Sequence, residues 1–336
     1  MSPSASALAD RPLFFCSTHS QITCWAVSKS DDPQNVVSAS GDMPVRWPRL
    51  GNLVQKGFTM QFGFLPKPLD VSDSDISVRS TADGRAILAE FESDGRVSDG
   101  WHEMLVDRYE LPSTHKIEVH GSQDDDELKF LILVLGFLHG LRLLPEGWGH
   151  LHPASVKTGR FNNFILKESE ILPCLMLASN FYRENRQTRN VKRLLSAITL
   201  SHWGQTQSLQ FDEFNYLYMA IDACWKIFRA IHPAAVQRSG HIKHPQRPRI
   251  MCHILGLSLP TVFDPSSAIN VSCIRNDLLH EGIVSDLPIG HAVIPDCLPE
   301  MREVAEKLIL SLLGVKAGYL KTGGGDRQRH FLDLEQ

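Results

Sequence analysis

One short stretch, residues 271–282, places an arginine, an amide and a histidine close together and then ends on a glycine. If it forms a helix, at ~100° per residue, its apolar residues fall within one narrow arc: Val271, Ile274 and Leu278. Asn276 and His280 are four residues apart, so they lie together on the opposite face. Arg275 lies beside that polar face, with a side chain long enough to bring its guanidinium to the histidine. Gly282 follows where a glycine commonly ends a helix.

These residue types suit the cleavage of RNA by its own 2′-hydroxyl group. That reaction needs a base for the hydroxyl proton, cationic donors for the phosphate and an acid for the departing 5′-oxygen. Histidine exchanges protons near neutral pH because its ordinary pKa is ~6.5. Arginine offers a rigid fork of donors that matches a phosphate group. A single pair, Arg275 and His280, supplies only part of this set, and a second copy of the chain would supply the rest.

The segment Arg-Asn-Asp-Leu-Leu-His at 275–280 resembles the R-x4-6-H motif of HEPN domains, in which a polar residue commonly follows the arginine. The longer pattern R-N-D-L-x-H-x-G is similar to the ApeA-like branch, which is associated with bacterial defence. That branch has an acidic residue inside an apolar helix upstream of the motif, and Asp222 within residues 216–225 matches it. The resemblance covers roughly residues 125–315.

The resemblance implies an all-α HEPN-like bundle that forms a homodimer and cuts single-stranded RNA at a composite site, without a metal or a cofactor. It implies a role in prokaryotic antiviral defence or in a toxin system. The catalytic residues would be Arg275 and His280, together with Asn276 and Asp222. Asn276 would orient the phosphate or the histidine, and Asp222 would hold the arginine.

Asp222 also needs a partner on physical grounds, because a carboxylate is costly to bury alone. Arg275 is the predicted partner. The alternative is a capping or hydrogen-bonding role for Asp222 within the core.

Contacts to RNA must come from local basic patches, because the net charge of the whole chain is −4. Arg186, Arg189 and Arg193 are spaced to share one face of a helix. A basic loop predicted over residues 233–253 adds further candidates: Arg238, Lys243, Arg247 and Arg249. The alternative interpretation of the arginine face is a solvated surface. Three histidines and Cys252 within that loop also raise the alternative of a zinc site, although their spacing matches no familiar ligand pattern.

The sequence pattern changes near residue 122, from short apolar runs separated by turn-forming residues to longer helical patterns. This change predicts an α+β protein of two domains. Residues 1–122 predict a β-rich domain that senses a trigger, regulates activity or binds a protein or nucleoprotein partner. Residues 123–317 predict the helical domain, and 318–336 a flexible tail. The strand candidates, each bounded by turn-forming residues, are 14–16, 22–27, 57–64, 86–91 and 116–120.

Helices are predicted from apolar periodicity and capping signals. A cluster of acidic residues at 124–127 precedes the first long one, and Asp212 is the expected N-cap of the clearest one. The predicted helices are 128–144, 168–183, 188–200, 211–231, 250–257, 269–280 and 299–313, with a short one at 101–109.

Composition places the chain among globular proteins, with 43% hydrophobic and 21% charged residues. The seven cysteines include no C-x-x-C pair, which favours reduced, buried thiols in a cytoplasmic protein. No signal peptide is evident at the first residues, and the most apolar run, 130–138, is too short to cross a bilayer.

Three classes of function remain open from the residues. The first is a metal-independent endoribonuclease. The second is an inactive HEPN interaction or dimerisation module that acts as a subunit or regulator of a nucleoprotein complex. The third is a regulator that binds a small molecule or nucleotide. The geometry around Arg275 and His280 bears most directly on the choice.

Overall fold

The structure is a computed structural model with a mixed α+β architecture. It describes residues 58–87, 113–146, 168–206, 209–238, 242–283 and 294–321, apart from 66, 85, 123, 268 and 317. All of these residues lie within 52–336, which form one compact unit. The described part contains one antiparallel sheet of five strands, and most of the remainder is helical.

The sheet has the strand order β2-β3-β4-β1-β5. Its strands are β1 (Phe58–Gly63), β2 (Val71–Ser72), β3 (Ile76–Ser80), β4 (His115–Val119) and β5 (Leu144–Pro145). β1 and β4 confirm two of the predicted strands. In β4 the residues alternate between buried and half-buried, which is the pattern of a strand with one face in the core. β3 escaped prediction because its first three residues are all buried, so that the strand has no alternation to detect.

The first long helix, α1 (Asp125–His139), covers this sheet, since it packs against β1, β4 and β5. Asp124 caps it by accepting a hydrogen bond from the Asp126 backbone N–H. The helix ends at Gly140, which has a φ of 66°, whereas it was predicted to run to residue 144. The chain turns back there to form β5. A Cβ at Gly136 would lie 2.5 Å from the Leu141 carbonyl oxygen, so this close return requires glycine.

The sheet and the helices share one cluster of buried apolar residues. β5 follows α1 in the chain and pairs with β1, which precedes it. Glu127 at the start of α1 accepts hydrogen bonds from Ser179 Oγ at 2.6 Å and Arg183 Nε at 2.8 Å, which joins α1 to the next helix. The predicted boundary near residue 122 therefore falls inside a packed unit.

Seven further helices follow α1 in the described residues. They are α2 (Glu168–Asn185), α3 (Asn190–Thr206), α4 (Gln210–Ile231), α5 (Pro233–Arg238), α6 (Gln246–Leu255), α7 (Val271–Asn276) and α8 (Ile294–Leu312). The central helix α4 packs along α3 and α8. Its predicted apolar stripe faces these neighbours, and Phe214, Leu217 and Phe228 are fully buried there.

Several sequence predictions need correction. The N-cap of α4 is Leu209, and Asp212 lies in the first turn. Residues 233–253 contain α5 and the start of α6, so much of the predicted loop is helical. In the predicted strand 86–91, Ala86 and Ile87 are helical. The predicted tail begins with a 3₁₀ turn, Gly318–Lys321, in which the buried Tyr319 donates a hydrogen bond to Glu306 at 2.8 Å.

Some predictions fall outside the described residues, namely the strands at 14–16 and 22–27, the helix at 101–109 and the end of the tail. Of the described cysteines, Cys174, Cys224, Cys252 and Cys297 are buried and Cys273 is exposed, and none forms a disulfide. Within the described ranges, no helix combines the length and the apolar character that a membrane span requires.

Candidate functional site

The motif helix α7 begins and ends at residues that the sequence marks clearly. Asn270 caps its start, since its side-chain oxygen accepts from the backbone N–H groups of Ser272 at 2.9 Å and Cys273 at 3.3 Å. The segment ends at Gly282, whose φ of 68° confirms the predicted glycine stop. The apolar face predicted for the helix is in the core: Val271, Ile274 and Leu278 are buried. This anchoring leaves the polar face exposed to solvent.

The second half of the motif, Asp277–Glu281, is a π-helical turn rather than a continuation of α7. In an α-helix, residues five apart differ by ~140° around the axis. A π turn bonds residues five apart and so brings such side chains close to one another. His280 consequently lies within 2.8 Å of Arg275, measured from Nε2 to Nη1. The contact expected from the length of the arginine side chain is present, but it depends on a turn that the sequence did not reveal.

This contact fixes the tautomer of the histidine. Arginine has only donors, so Nη1 donates and Nε2 of His280 accepts. The ring is therefore neutral in this arrangement, with its proton on Nδ1. Nη1 of Arg275 also donates to Oδ1 of Asn276 at 3.1 Å. Asn276 thus orients the arginine, whereas the sequence suggested that it would orient the histidine or a phosphate.

The charge of Arg275 is not compensated within the described residues. None of their carboxylates lies within ion-pairing distance of the guanidinium, and Nε is buried without a hydrogen-bond partner. The Arg275 Cζ atom lies 5.8 Å from the centre of the Tyr218 ring, a distance that allows a cation–π contact. Burial raises the pKa of Tyr218, and the nearby Arg275 acts in the opposite direction. An arginine in this state is available to an incoming anion.

Asp222 does not hold Arg275, so the predicted pairing was wrong. Its partner is Arg247 on α6, whose Nη1 donates to Oδ1 of the carboxylate. Lys226 adds a second contact at 3.3 Å from Nζ to Oδ2. The Arg247 Cζ atom lies 5.8 Å from the centre of the Trp225 ring. Sequence reasoning missed this pairing because Arg247 was assigned to a loop, whereas α6 brings it against α4.

An open groove of about 900 Å³ lies between these elements. Its walls come from α3, α4, α7 and the turn before α3. Asp222 is the only carboxylate among the residues that line it, and Arg247 and Lys226 neutralise that charge. The cationic side chains that line the groove are Arg186, Arg189, Lys192, Arg193, Lys226 and Arg275.

The three arginines that were predicted to share one face of a helix all line this groove, but they do not belong to a single helix. Arg186 and Arg189 lie in the turn between α2 and α3, and Arg193 lies in the first turn of α3. The turn and the start of α3 are adjacent in the chain, and all three arginines line the same groove. Lys192 and Lys226 were not singled out from the sequence. The position of Lys226 four residues after Asp222 was the available signal.

The RNA-binding candidates from the predicted loop at 233–253 have different surroundings in the structure. Arg247 is half-buried in its pair with Asp222 and is not a free cation. Lys243 and Arg249 are exposed, but neither lines the groove. The side chain of Arg238 lies outside the described part. His244 was considered only as a zinc ligand, yet it lines the groove. Within the described ranges, no group of three or more histidine, cysteine or acidic side chains is arranged to hold a metal ion.

Comparisons of the chain with protein-family models, with curated proteins and with solved structures found no match.

Proposed function

We propose that this chain is a HEPN-like, metal-independent endoribonuclease that cuts single-stranded RNA at a site completed by a second copy of the chain. The observation that carries the proposal is the hydrogen bond between Arg275 and His280 beside a groove lined by five further cationic side chains. The groove gives a chain of negative net charge a place to receive a polyanion. Arg275 and His280 supply a phosphate-binding group and a proton-transfer group, and the second copy of the chain would supply the remaining ones.

In the proposed reaction the 2′-oxygen attacks the adjacent phosphorus while the bond from phosphorus to the 5′-oxygen breaks. A histidine takes the 2′-hydroxyl proton, and the histidine of the second copy gives a proton to the departing 5′-oxygen. Arg275 holds the non-bridging oxygens, with its guanidinium oriented by Asn276. When phosphate oxygens replace the imidazole as its acceptors, Nε2 of His280 is released to act as the base. The products carry a 2′,3′-cyclic phosphate and a 5′-hydroxyl.

The carboxylate has a different role from the one that the HEPN resemblance implies. Asp222 neutralises Arg247 and steadies Lys226 at the wall of the groove. It acts on the site only through these side chains and is a positioning residue. We propose that the activity serves antiviral defence in a prokaryote or forms part of a toxin system.

A second function has support in one observation. Leu279 and Ile283 flank His280 and are 53% and 40% exposed. A second copy of the chain or another protein that covered these two side chains would remove apolar surface from water. An inactive HEPN module that dimerises or docks within a nucleoprotein complex would use this surface without cutting RNA.

The decisive experiment is cleavage of a single-stranded RNA in EDTA by the wild-type protein and by Arg275→Ala and His280→Ala. We expect each substitution to lower the rate by roughly 10²–10⁴-fold, as the loss of a proton-transfer or charge-stabilising group does. The matched controls are Arg79→Ala on β3 and His253→Ala on α6, two exposed residues outside the groove. Both should cleave at the wild-type rate and leave a 2′,3′-cyclic phosphate.

Undiminished cleavage by His280→Ala would contradict the nuclease proposal. A protein that dimerises but leaves RNA intact would favour the docking module instead. Light scattering during size-exclusion chromatography supplies the other half of the test, because a chain that stays monomeric cannot form a composite site.

A further inference from the structure

A second arginine–histidine pair lies beside the groove, and its histidine, His244, lines the groove. Arg247 Nη1 is 3.0 Å from Nδ1 of His244. The same nitrogen, Nη1, also donates to the carboxylate of Asp222, and the guanidinium lies beside the Trp225 ring. The side chain of His244 is itself 46% exposed. A fixed arginine therefore orients an accessible imidazole.

The direction of this hydrogen bond determines which nitrogen of His244 carries a proton. Arginine can only donate, so Nδ1 accepts and the proton of the neutral ring is on Nε2. Burial and the nearby Arg247 lower the pKa of His244, which keeps the ring neutral. The free end of the ring is therefore an N–H donor. His280 has the opposite tautomer, with its proton on Nδ1.

The surroundings of His244 select the chemistry of its ligand. It shares the groove with Arg275 and Lys226, whose charges attract an anion. Arginine and lysine side chains have only hydrogen-bond donors, and the one acceptor nitrogen of His244 is already bound to Arg247. The site therefore offers only donors to a ligand. Phosphoryl oxygens spaced along a single strand are acceptors that can engage such a row of donors together.

We propose that His244 is a phosphate-binding residue: its Nε2–H donates to a backbone phosphoryl oxygen of single-stranded RNA lying in the groove, while Arg247 fixes the ring through Nδ1. This inference rests on the proposed function for the identity of the anion. It adds a donor that does not transfer a proton, and it assigns Arg247 to positioning rather than to RNA contact.

The test measures binding without cleavage. The probe is a fluorescein-labelled 2′-O-methyl oligouridylate, which has no 2′-hydroxyl to attack, and binding is followed by fluorescence anisotropy. Wild type is compared with His244→Ala, His244→Gln and His244→Asn, after thermal unfolding has shown each variant to be folded. Arg79→Gln, on the exposed face of β3, controls for the loss of a positive charge elsewhere.

We expect His244→Ala to bind about tenfold more weakly, as the loss of a hydrogen bond to a charged group does. The amide nitrogen of glutamine reaches the place of Nε2, so His244→Gln should restore most of the affinity. Asparagine places its amide near Nδ1 instead, where it can accept from Arg247 but cannot reach the phosphate. His244→Asn should therefore bind as weakly as alanine.

Three results would overturn the proposal. Unchanged binding by His244→Ala would show that the side chain does not touch the strand. Equal rescue by asparagine and glutamine would show that it only supports Arg247. Failure of glutamine to rescue would exclude the Nε2–H donor. Cleavage of unmodified RNA is measured in parallel. A wild-type protein that binds the probe but does not cut RNA would contradict the nuclease proposal without contradicting the phosphate-binding role of His244.

Discussion

Arg275 and Arg247 have surroundings of the same kind on neighbouring parts of one helix. Each guanidinium lies 5.8 Å from the centre of an aromatic ring of α4, Tyr218 for the first and Trp225 for the second. These rings are seven residues apart, so they lie on one face of the helix, two turns from each other. Each arginine also donates to a histidine, over 2.8 Å and 3.0 Å.

The two arginines differ in what balances their charge. Arg247 is paired with Asp222, which lies between the two rings on α4. Arg275 has only Asn276 and His280 as hydrogen-bond partners in the described part of the chain. A compensated arginine contributes to stability, whereas an uncompensated one is free to bind an anion. The charge partner, more than the residue type, therefore separates the arginine that positions other groups, Arg247, from the arginine that is proposed to bind phosphate, Arg275.

The largest expected effect comes from removing each guanidinium while keeping its apolar stem. Arg247→Met leaves the half-buried Asp222 with Lys226 at 3.3 Å and His244 at 3.9 Å, and we expect the free energy of unfolding to fall by roughly 2–3 kcal/mol. Arg275→Met should change it by less than about 0.5 kcal/mol, because no carboxylate loses its partner. Urea unfolding measures both values.

A double substitution sharpens this contrast. Asp222→Asn combined with Arg247→Met removes both charges of the pair, so we expect it to recover about 1 kcal/mol relative to Arg247→Met alone. If adding Asp222→Asn instead lowered the free energy of unfolding of the Arg275→Met and Arg247→Met variants by the same amount, the carboxylate would serve both arginines. The sequence had suggested that it pairs with Arg275.

The second prediction separates a buried histidine from the exposed one of the Arg247 pair. Burial, helped by Arg142, lowers the pKa of His202 to about 4. Its folded pKa lies below the unfolded value of ~6.5, so its stabilising contribution is complete above about pH 6.5 and is lost as the pH falls towards about 4. His202→Gln should therefore remove about 2 kcal/mol of the stability difference between about pH 7 and about pH 4.5.

His244 is the comparison for that experiment. Its pKa is also lowered, but its side chain is 46% exposed and solvent screens the effect. His244→Gln should therefore leave the pH dependence of unfolding close to that of the wild type. If the two variants reduced the pH dependence of the free energy of unfolding equally, the contact between Arg247 and His244 would be as sensitive to acid as the buried His202.

Local sequence signals predicted the parts of the site that depend on neighbouring residues. The apolar face of α7 and the glycine stop at Gly282 follow from the spacing of the residues. The contact between Arg275 and His280 was expected from the length of the arginine side chain, although the π turn brings the two together. The partner of Asp222 could not be found in this way, because it depends on how α6 packs against α4. The π turn could not be predicted either, since its residues are as compatible with an α-helix.

The same limit applies to the sheet. β1 and β4 were predicted because each carries its own alternation, whereas β5 is a strand only because it pairs with β1. Its two residues, Leu144 and Pro145, look like the end of a helix when taken alone. Pairing between distant segments carries the information that the local pattern lacks.

The smallest expected effect compares two glycines with the same conformation. Gly282 ends the turn that carries His280, and Gly256 ends α6, which carries Arg247. Their φ values are 68° and 69°, and a Cβ would meet nothing within 4 Å at either position. Alanine is strained in this region of conformation, so each Gly→Ala substitution should cost about 1 kcal/mol of stability.

Only one of these substitutions should affect cleavage of RNA. Strain at Gly282 is relieved by loosening the π turn, which moves His280 away from Arg275, whereas Gly256 lies nine residues after Arg247 at the far end of α6. We therefore expect Gly282→Ala to lower the cleavage rate several-fold, roughly the effect of 1 kcal/mol, and Gly256→Ala to leave it unchanged. Equal rates for the two variants, at equal loss of stability, would mean that the contact between Arg275 and His280 does not need the turn.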